Sequence, residues 1–437
     1  MKTSKYFSIF FLFILFGFSF GIYINYIIAH INVNSDSSKS ITVSKKTSNY
    51  IDWLKEYPVD DKNNNQVVNK KTINRLQNYY NKIKKIISNI DSCSKNYLPQ
   101  KMKFIEFGHF LNKLIGGNMF LKLDGLIRFD NGYLGYLVSE KGFFEDDGKR
   151  TVDFAKHLES QNIKFAYVLC PSKFSKFKNE LPTGMIDYSN ENADSFLKVL
   201  NENKVNVLDL REELNKDYPN HFDAFFKTDH HWKPETGFWA AQKIVRYLNN
   251  KLEMNLDENI IIKDNFEFKT YPNLFLGSQG KKVTLSFAEP EDFTVITPKF
   301  NTYFYYEVYC RDIKRNGNFK ESLLNLEQIN NKDFYKEDCY GYYLGYTGPV
   351  AKIDNKLSKN ETKILIIDDS FSLVTVPFLA LTAKQTYMFD IRKNKNHFNG
   401  SIYKFIDKHK PNVVLILYSV HSFQSFLENN NNLHYFE

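Results

Sequence analysis

Two short stretches of the chain bring together residue types that can move an acyl group. Thr228-Asp229-His230-His231-Trp232 sets an acid and a histidine two residues apart, just before a helix expected from position 234. Ile364-Leu365-Ile366-Ile367-Asp368-Asp369-Ser370-Phe371-Ser372 ends an apolar strand on a serine that a following helix would present at its N-terminus. A serine hydroxyl is a poor nucleophile at neutral pH; a histidine must take its proton, and a carboxylate must orient that histidine. Ser370, His231 and Asp229 supply these three roles, and the chemistry they point to is transfer of an acyl group through a serine ester. Taken singly, each has a plainer use. Asp-Ser before a helix is also an ordinary N-cap, and Asp-x-His also serves in turns. Asp229, His230, His231 and His221 also form a metal-like set, but no further carboxylate or histidine follows at helical spacing, so no metal is assigned. His230 and Trp232 are expected to pack or hydrogen-bond beneath the loop.

The elements that must carry these residues follow from the hydrophobic pattern. Helices are expected over 151–161, 193–201, 234–248, 374–383 and 402–409, and strands over 165–170, 205–210, 363–367, 385–389 and 413–418. Continuous apolar strands separated by helices indicate an α/β domain built on a mostly parallel sheet covered by helices. In such a sheet ligands bind outside the carboxyl ends of the strands. Four of these ends carry functional groups: Pro171-Ser172-Lys173, Asp369-Ser370, Asp390-Ile391-Arg392 and Tyr418-Ser419-Val420-His421. The topology sends them to one rim, where a serine at a helix start has backbone N–H groups to meet a developing oxyanion. Residues 127–136 read as a hairpin turn between short strands. From about 252 to 351 the rhythm breaks into an aromatic and polar stretch, expected as an insertion or mobile cap.

The chain has 437 residues, 43% hydrophobic and 16% aromatic, which is ample for a packed core and excludes a disordered protein. Its net charge of +8 is spread without a basic block, so nucleic acid is not suggested as a partner; the charge either attracts an acidic envelope polymer or reflects only a codon bias toward Lys, Asn and Ile. Cys93, Cys170, Cys310 and Cys339 lack metal spacing. Cys310 and Cys339 can pair if the chain lies outside the cell, and Cys170, in a strand, reads as a small core residue. Lys2 and Lys5 precede an apolar run over 6–24, long enough as a helix to span about 28 Å. Apolar character persists through Tyr26-Ile27-Ile28 to Ala29 without a clear small-residue cut site. Residues 1–29 therefore read as an uncleaved transmembrane signal anchor rather than a cleaved signal, with the bulk of the chain extracytoplasmic. A stem and an amphipathic helix (73–90) are expected over 30–100, and the α/β domain over 101–437.

The Thr-Asp-His-His-Trp segment is the motif that names the DHHW protein family, and from about 121 to 426 the chain resembles that family. The family is related to the AlgX/AlgJ-type domains of the SGNH hydrolase-like superfamily, which act in O-acetylation of exported polysaccharides. Leu181-Pro182, Leu276-Gly277-Ser278-Gln279-Gly280-Lys281, Asp369-Ser370-Phe371 and Asp390-Ile391-Arg392 carry the resemblance further. It implies an SGNH hydrolase-like fold with Ser370 as nucleophile, His231 as base and Asp229 as its orienting acid, His230 filling a variable position. A looser match puts Arg392 and Tyr418 where such enzymes contact acyl or sugar groups; Lys173, on a neighbouring strand end, joins them as a substrate-binding candidate. The implied acceptor is a polysaccharide, the implied acyl donor a membrane-bound O-acyltransferase, and no cofactor is required. One position departs: the family block reads Gly-Asp-Ser, and Asp368 stands in place of the glycine. That carboxylate either adds negative charge beside the nucleophile or points into the sheet. Two other uses stay open, an acetylesterase or deacetylase working with the same triad and water, and a non-catalytic glycan-binding assembly protein.

Overall fold

The computed structural model describes Glu106 and residues 126–422, apart from positions 179, 183, 310, 327, 328, 330–332, 337, 346, 347 and 392–400. The chain divides between Pro99 and Gln100 into two compact units, and the described residues belong to the second. The expected anchor, stem and first amphipathic helix lie outside the described residues, as do Cys93, Cys310 and Arg392. Among the described residues no helix is long and apolar enough to cross a membrane.

Strands β1 (Leu126–Arg128) and β2 (Leu134–Tyr136) pair as an antiparallel hairpin around the expected turn. Alternation then begins with α1 (Glu145–Ser160), β3 (Lys164–Cys170), α2 (Ser189–Glu202), β4 (Val207–Asp209), α3 (Leu210–Asp217) and α4 (Pro234–Leu252). The middle of the chain forms β5 (Phe266–Phe275), α5 (Ser278–Val283), β6 (Glu291–Pro298), β7 (Phe304–Tyr309), β8 (Ile313–Gly317) and α6 (Phe319–Leu323). It closes with β9 (Val350–Asn355), β10 (Lys363–Asp368), α7 (Val376–Leu379), β11 (Gln385–Phe389), α8 (Ile402–His409) and β12 (Val413–Ser419).

Eight strands make one sheet in the order β4-β3-β12-β10-β11-β9-β7-β8. The first five of that order run parallel; β9, β7 and β8 continue the sheet antiparallel. The sheet is therefore mixed, and the stretch expected as an insertion contributes β7 and β8 to its outer edge, while β5 and β6 pair as a separate ribbon. Along β7 buried and half-buried residues alternate, as they do in antiparallel strands with one wetter face, and this hides the strand from a search for continuous apolar runs.

The parallel strands are buried on both faces, and alternate residues enter two cores. Val168, Ile366, Leu415 and Leu417 pack on one side against Ala241, Ile244 and Leu248 of α4. Leu169, Ile367, Ile416 and Tyr418 pack on the other against Phe154 of α1, Phe196 of α2 and Phe405 of α8. Each fully buried aliphatic or aromatic side chain contributes about 1.5–3 kcal/mol. Register sets Asp368 beside Leu417 and Ser419 beside Cys170, so the chain leaves β3, β10 and β12 at one rim. The helix expected over 374–383 is instead a 3₁₀ turn, Ser370–Val374, followed by the four-residue α7. Pro377 withholds an N–H there, and the β-branched run Val374-Thr375-Val376 loses rotamer freedom in a helix.

Candidate active site

Phe225 and Trp232 pair as an isolated antiparallel bridge, with Phe226 N donating to His231 O (3.3 Å) and Lys233 N to Ala224 O (2.9 Å). The loop between them carries Asp229 and His231. Trp232 is fully buried, and its Nε1 donates to Phe371 O at 3.0 Å, pinning the loop to the turn that bears Ser370. Asp229 and His231 meet through a tight turn rather than through the alternation of an extended segment. His231 N donates to Asp229 Oδ1 at 3.1 Å, the bond an aspartate makes to the backbone two residues on.

His231 Nδ1 lies 2.6 Å from Asp229 Oδ1, and its Nε2 lies 2.7 Å from Ser370 Oγ. The second Asp229 oxygen accepts from Ser278 N at 2.6 Å. Burial alone would raise the Asp229 carboxyl. The neighbouring His230 and His231 rings and the hydrogen bonds from His231 and Ser278 outweigh it and hold the group well below the usual carboxylate range. An ionised carboxylate only accepts, so Nδ1 carries the hydrogen, and in the neutral ring Nε2 accepts from the serine hydroxyl. This is the protonation pattern in which a histidine can take a serine proton.

A second loop holds the acid in place. Gly277 N donates to Thr228 Oγ1 (2.9 Å) and Gly280 N to Thr228 O (2.8 Å). Glu291 accepts from Lys227 N (2.6 Å) and from Thr228 N (2.7 Å) and Oγ1 (2.6 Å). A Cβ at position 277 would stand 2.3 Å from Asp229 Cβ and 2.5 Å from Thr228 O, so only glycine permits this approach. On the serine side, Asp369 Oδ1 caps the turn through Phe371 N (2.9 Å). Its Oδ2 accepts from Ser419 N (2.8 Å), Ser419 Oγ (2.8 Å) and Ser422 Oγ (2.6 Å). One buried carboxylate thus ties the nucleophile turn to the end of β12. The helix N-terminus expected to meet an oxyanion is a five-residue 3₁₀ turn, with its Phe371 N–H already taken by Asp369. Asp368 is buried, accepts from Ser372 Oγ and forms part of the wall beside Ser370.

These groups open on a cleft of about 580 Å³ whose lining includes Asp229, His231, Ser278, Tyr340, Ser370 and Asp390, large enough for a small acyl donor or a sugar unit. Tyr340 stacks on the His231 ring, with centroids 3.9 Å apart and planes inclined by 14°. The substrate-binding candidates fare differently. Lys173 is buried and donates to Leu134 O, Lys227 O (3.1 Å) and Gln279 Oε1 (3.0 Å), so it braces the loops behind Asp229 rather than facing the cleft. Burial brings its pKa down to about 7, against the pull of Asp229 and Glu291. Tyr418 packs in the second core, because alternation along β12 turns it to the face opposite Leu417 and Trp232. Arg392 lies outside the described residues. His221 is not with the other histidines; its Nε2 donates to Ser172 O at 2.7 Å. Ligand atoms of Asp229, His230 and His231 lie within 4.8 Å of one another, but those of Asp229 and His231 serve the hydrogen-bonded line to Ser370. Tyr340 and the Ser278 amide escape a reading of residue types, one inside the irregular stretch and the other a backbone group.

Residues 137–265 match the family described as SGNH hydrolase-like domain, acetyltransferase AlgX. No curated protein sequence matches the chain. Among solved structures, Bacillus cereus PatB1 is similar with a TM-score of 0.56 and 25% identity, covering 68% of this chain and 96% of that one. The same protein with a sulfonyl adduct gives 0.55 and 24% over the same shares. A DHHW family protein from Eubacterium siraeum aligns at 0.49 and 18%, covering 69% and 92%. The chain thus has the SGNH hydrolase-like α/β fold, and the segment holding Asp229 and His231 falls within the stretch that matches the AlgX family, in line with the resemblance in its sequence.

Proposed function

We propose that the protein is a membrane-anchored, extracytoplasmic O-acyltransferase that moves acetyl groups onto hydroxyls of a cell-surface or exported polysaccharide. The observation that carries this reading is the hydrogen-bonded line from Asp229 through His231 to Ser370, with links of 2.6 and 2.7 Å, at the wall of an open cleft. Ser370 Oγ attacks the donor carbonyl while its proton passes to His231 Nε2; Asp229 holds Nδ1–H and balances the imidazolium. The leaving group departs with that proton, and the acetyl group remains on Ser370 as an ester. A glycan hydroxyl then attacks the ester, giving its proton to His231, and Ser370 leaves with the proton returned. The family description names an acetyltransferase. One PatB1 structure carries a sulfonyl adduct. The proposed donor is a membrane-bound O-acyltransferase.

p-Nitrophenyl acetate, offered with and without a surface glycan, tests the reading. Acetyl-transfer activity predicts faster p-nitrophenol release with the glycan present and acetyl esters on the glycan. Acetate as the sole product in both conditions replaces the transferase with an esterase. No turnover above buffer withdraws both in favour of a glycan-binding protein.

A further inference from the structure

His231 is gripped by more than its hydrogen bonds. Besides Asp229 Oδ1, two rings lie against the imidazole: Tyr340 at 3.9 Å between centroids with planes 14° apart, and His230 at 3.8 Å with planes 37° apart. Phe371 adds an inclined contact at 5.1 Å. Tyr340 stands on the 3₁₀ turn Cys339–Tyr342, is 3% exposed, and lines the cleft together with its neighbours Asp338 and Gly341. A tyrosine face carries partial negative charge, so an imidazole stacked on it becomes more comfortable as a cation. A ring this close also blocks rotation about the bonds that aim Nε2 at Ser370.

We propose that Tyr340 is a positioning residue of the triad, its ring fixing the His231 plane and stabilising the imidazolium that forms when Ser370 gives up its proton. The use of that imidazolium rests on the acyl-transfer reading, while the ring contact stands by itself. The face of the ring does the work, so phenylalanine serves as well as tyrosine. Other charged or titratable groups surround the pair. Asp229 and His230 come from the same loop, Asp338 from the turn bearing Tyr340, Asp369 from the end of β10, His421 from the end of β12 and Lys173 from the end of β3. Burial holds His421 neutral, with its pKa pushed down to about 4, so it adds no competing positive charge near neutrality. Of the groups in direct contact with the imidazole, Asp229 Oδ1 and the Tyr340 face favour its charged form; Asp338 and Asp369 add negative charge nearby, and Lys173 opposes them.

NMR titration of the His231 ring in the full chain, alongside the rate at which phenylmethylsulfonyl fluoride labels Ser370, tests this. Tyr340→Phe keeps the His231 midpoint and holds labelling within about twofold of wild type, whereas Tyr340→Leu lowers the midpoint by about 0.5–1 pH unit and slows labelling about three- to tenfold. Tyr340→Met, equally ringless, substitutes if the leucine variant does not fold. A His231 midpoint unmoved in the ringless variant overturns the proposal, and so does a Tyr340→Phe variant that falls as far as Tyr340→Leu. A shifted midpoint combined with turnover that survives Ser370→Ala keeps Tyr340 in its role and removes the acyl-transfer reading. Ser370-dependent labelling with a fixed midpoint does the reverse.

Discussion

A serine oxygen 2.7 Å from an imidazole nitrogen is useful only if the imidazole presents the right nitrogen, and here Asp229 decides which one that is. The residue types were legible in the sequence because only a few side chains can activate a serine and the Asp-x-His pair sits within one turn. The supporting contacts were not. The Ser278 amide is a backbone group, and Ser419 and Ser422 reach Asp369 across 50 and 53 positions of chain. Replacing Asp229 by asparagine keeps the shape but removes the charge and permits the wrong tautomer, so ester turnover is expected to fall by about 10⁴. The same variant has a signature in stability. The Asp229 pKa is depressed in the folded chain, so its contribution is fully present above the unfolded value of about 4 and is lost as pH falls through the lower folded value. Urea midpoints of wild type and Asp229→Asn should therefore differ by a constant amount above about pH 5 and converge below about pH 4. A gap that widens on acidification contradicts the assignment of Asp229 as the buried anion.

At the scale of elements, strands buried on both faces announced themselves as apolar runs, and β10, β11, α8 and β12 fall within a residue of expectation. The edge strands β7 and β8 did not, because half-wet antiparallel strands carry polar residues at alternate positions. Tyr340 lies in that same stretch, which is why the ring against His231 could not be foreseen. The loop Leu276 to Lys281 was visible only as a resemblance; its physical use is close contact with the acid loop. Gly277→Ala drives a methyl group into Asp229 Cβ and Thr228 O. Overpacking of this kind costs about 1–3 kcal/mol, and displacing the acid by even about 1 Å lowers turnover about 10²-fold. Thermal denaturation and p-nitrophenyl acetate turnover measured together check it. A variant that melts early yet turns over at the wild-type rate shows that the loop does not set the position of Asp229.

For the whole molecule, the sheet unites groups that the chain keeps 139 positions apart, and each half of the site depends on the other for Trp232 to meet Phe371. The proposed anchor over 1–29 would hold this domain at the outer face of a membrane, within reach of a membrane-bound acyl donor. On that account the protein stays with membranes through an alkaline carbonate wash and keeps its N-terminal residues; a soluble product beginning near His30 contradicts it. The central claim is that Ser370 carries the acyl group. Mass spectrometry of the protein, quenched in acid during turnover of p-nitrophenyl acetate and digested, reads this directly. The account predicts an acetyl ester on the peptide containing Ser370, absent from Ser370→Ala, whose fold is otherwise intact because Asp369 and not Ser370 caps the turn. An unmodified Ser370 peptide together with wild-type turnover in Ser370→Ala would contradict it.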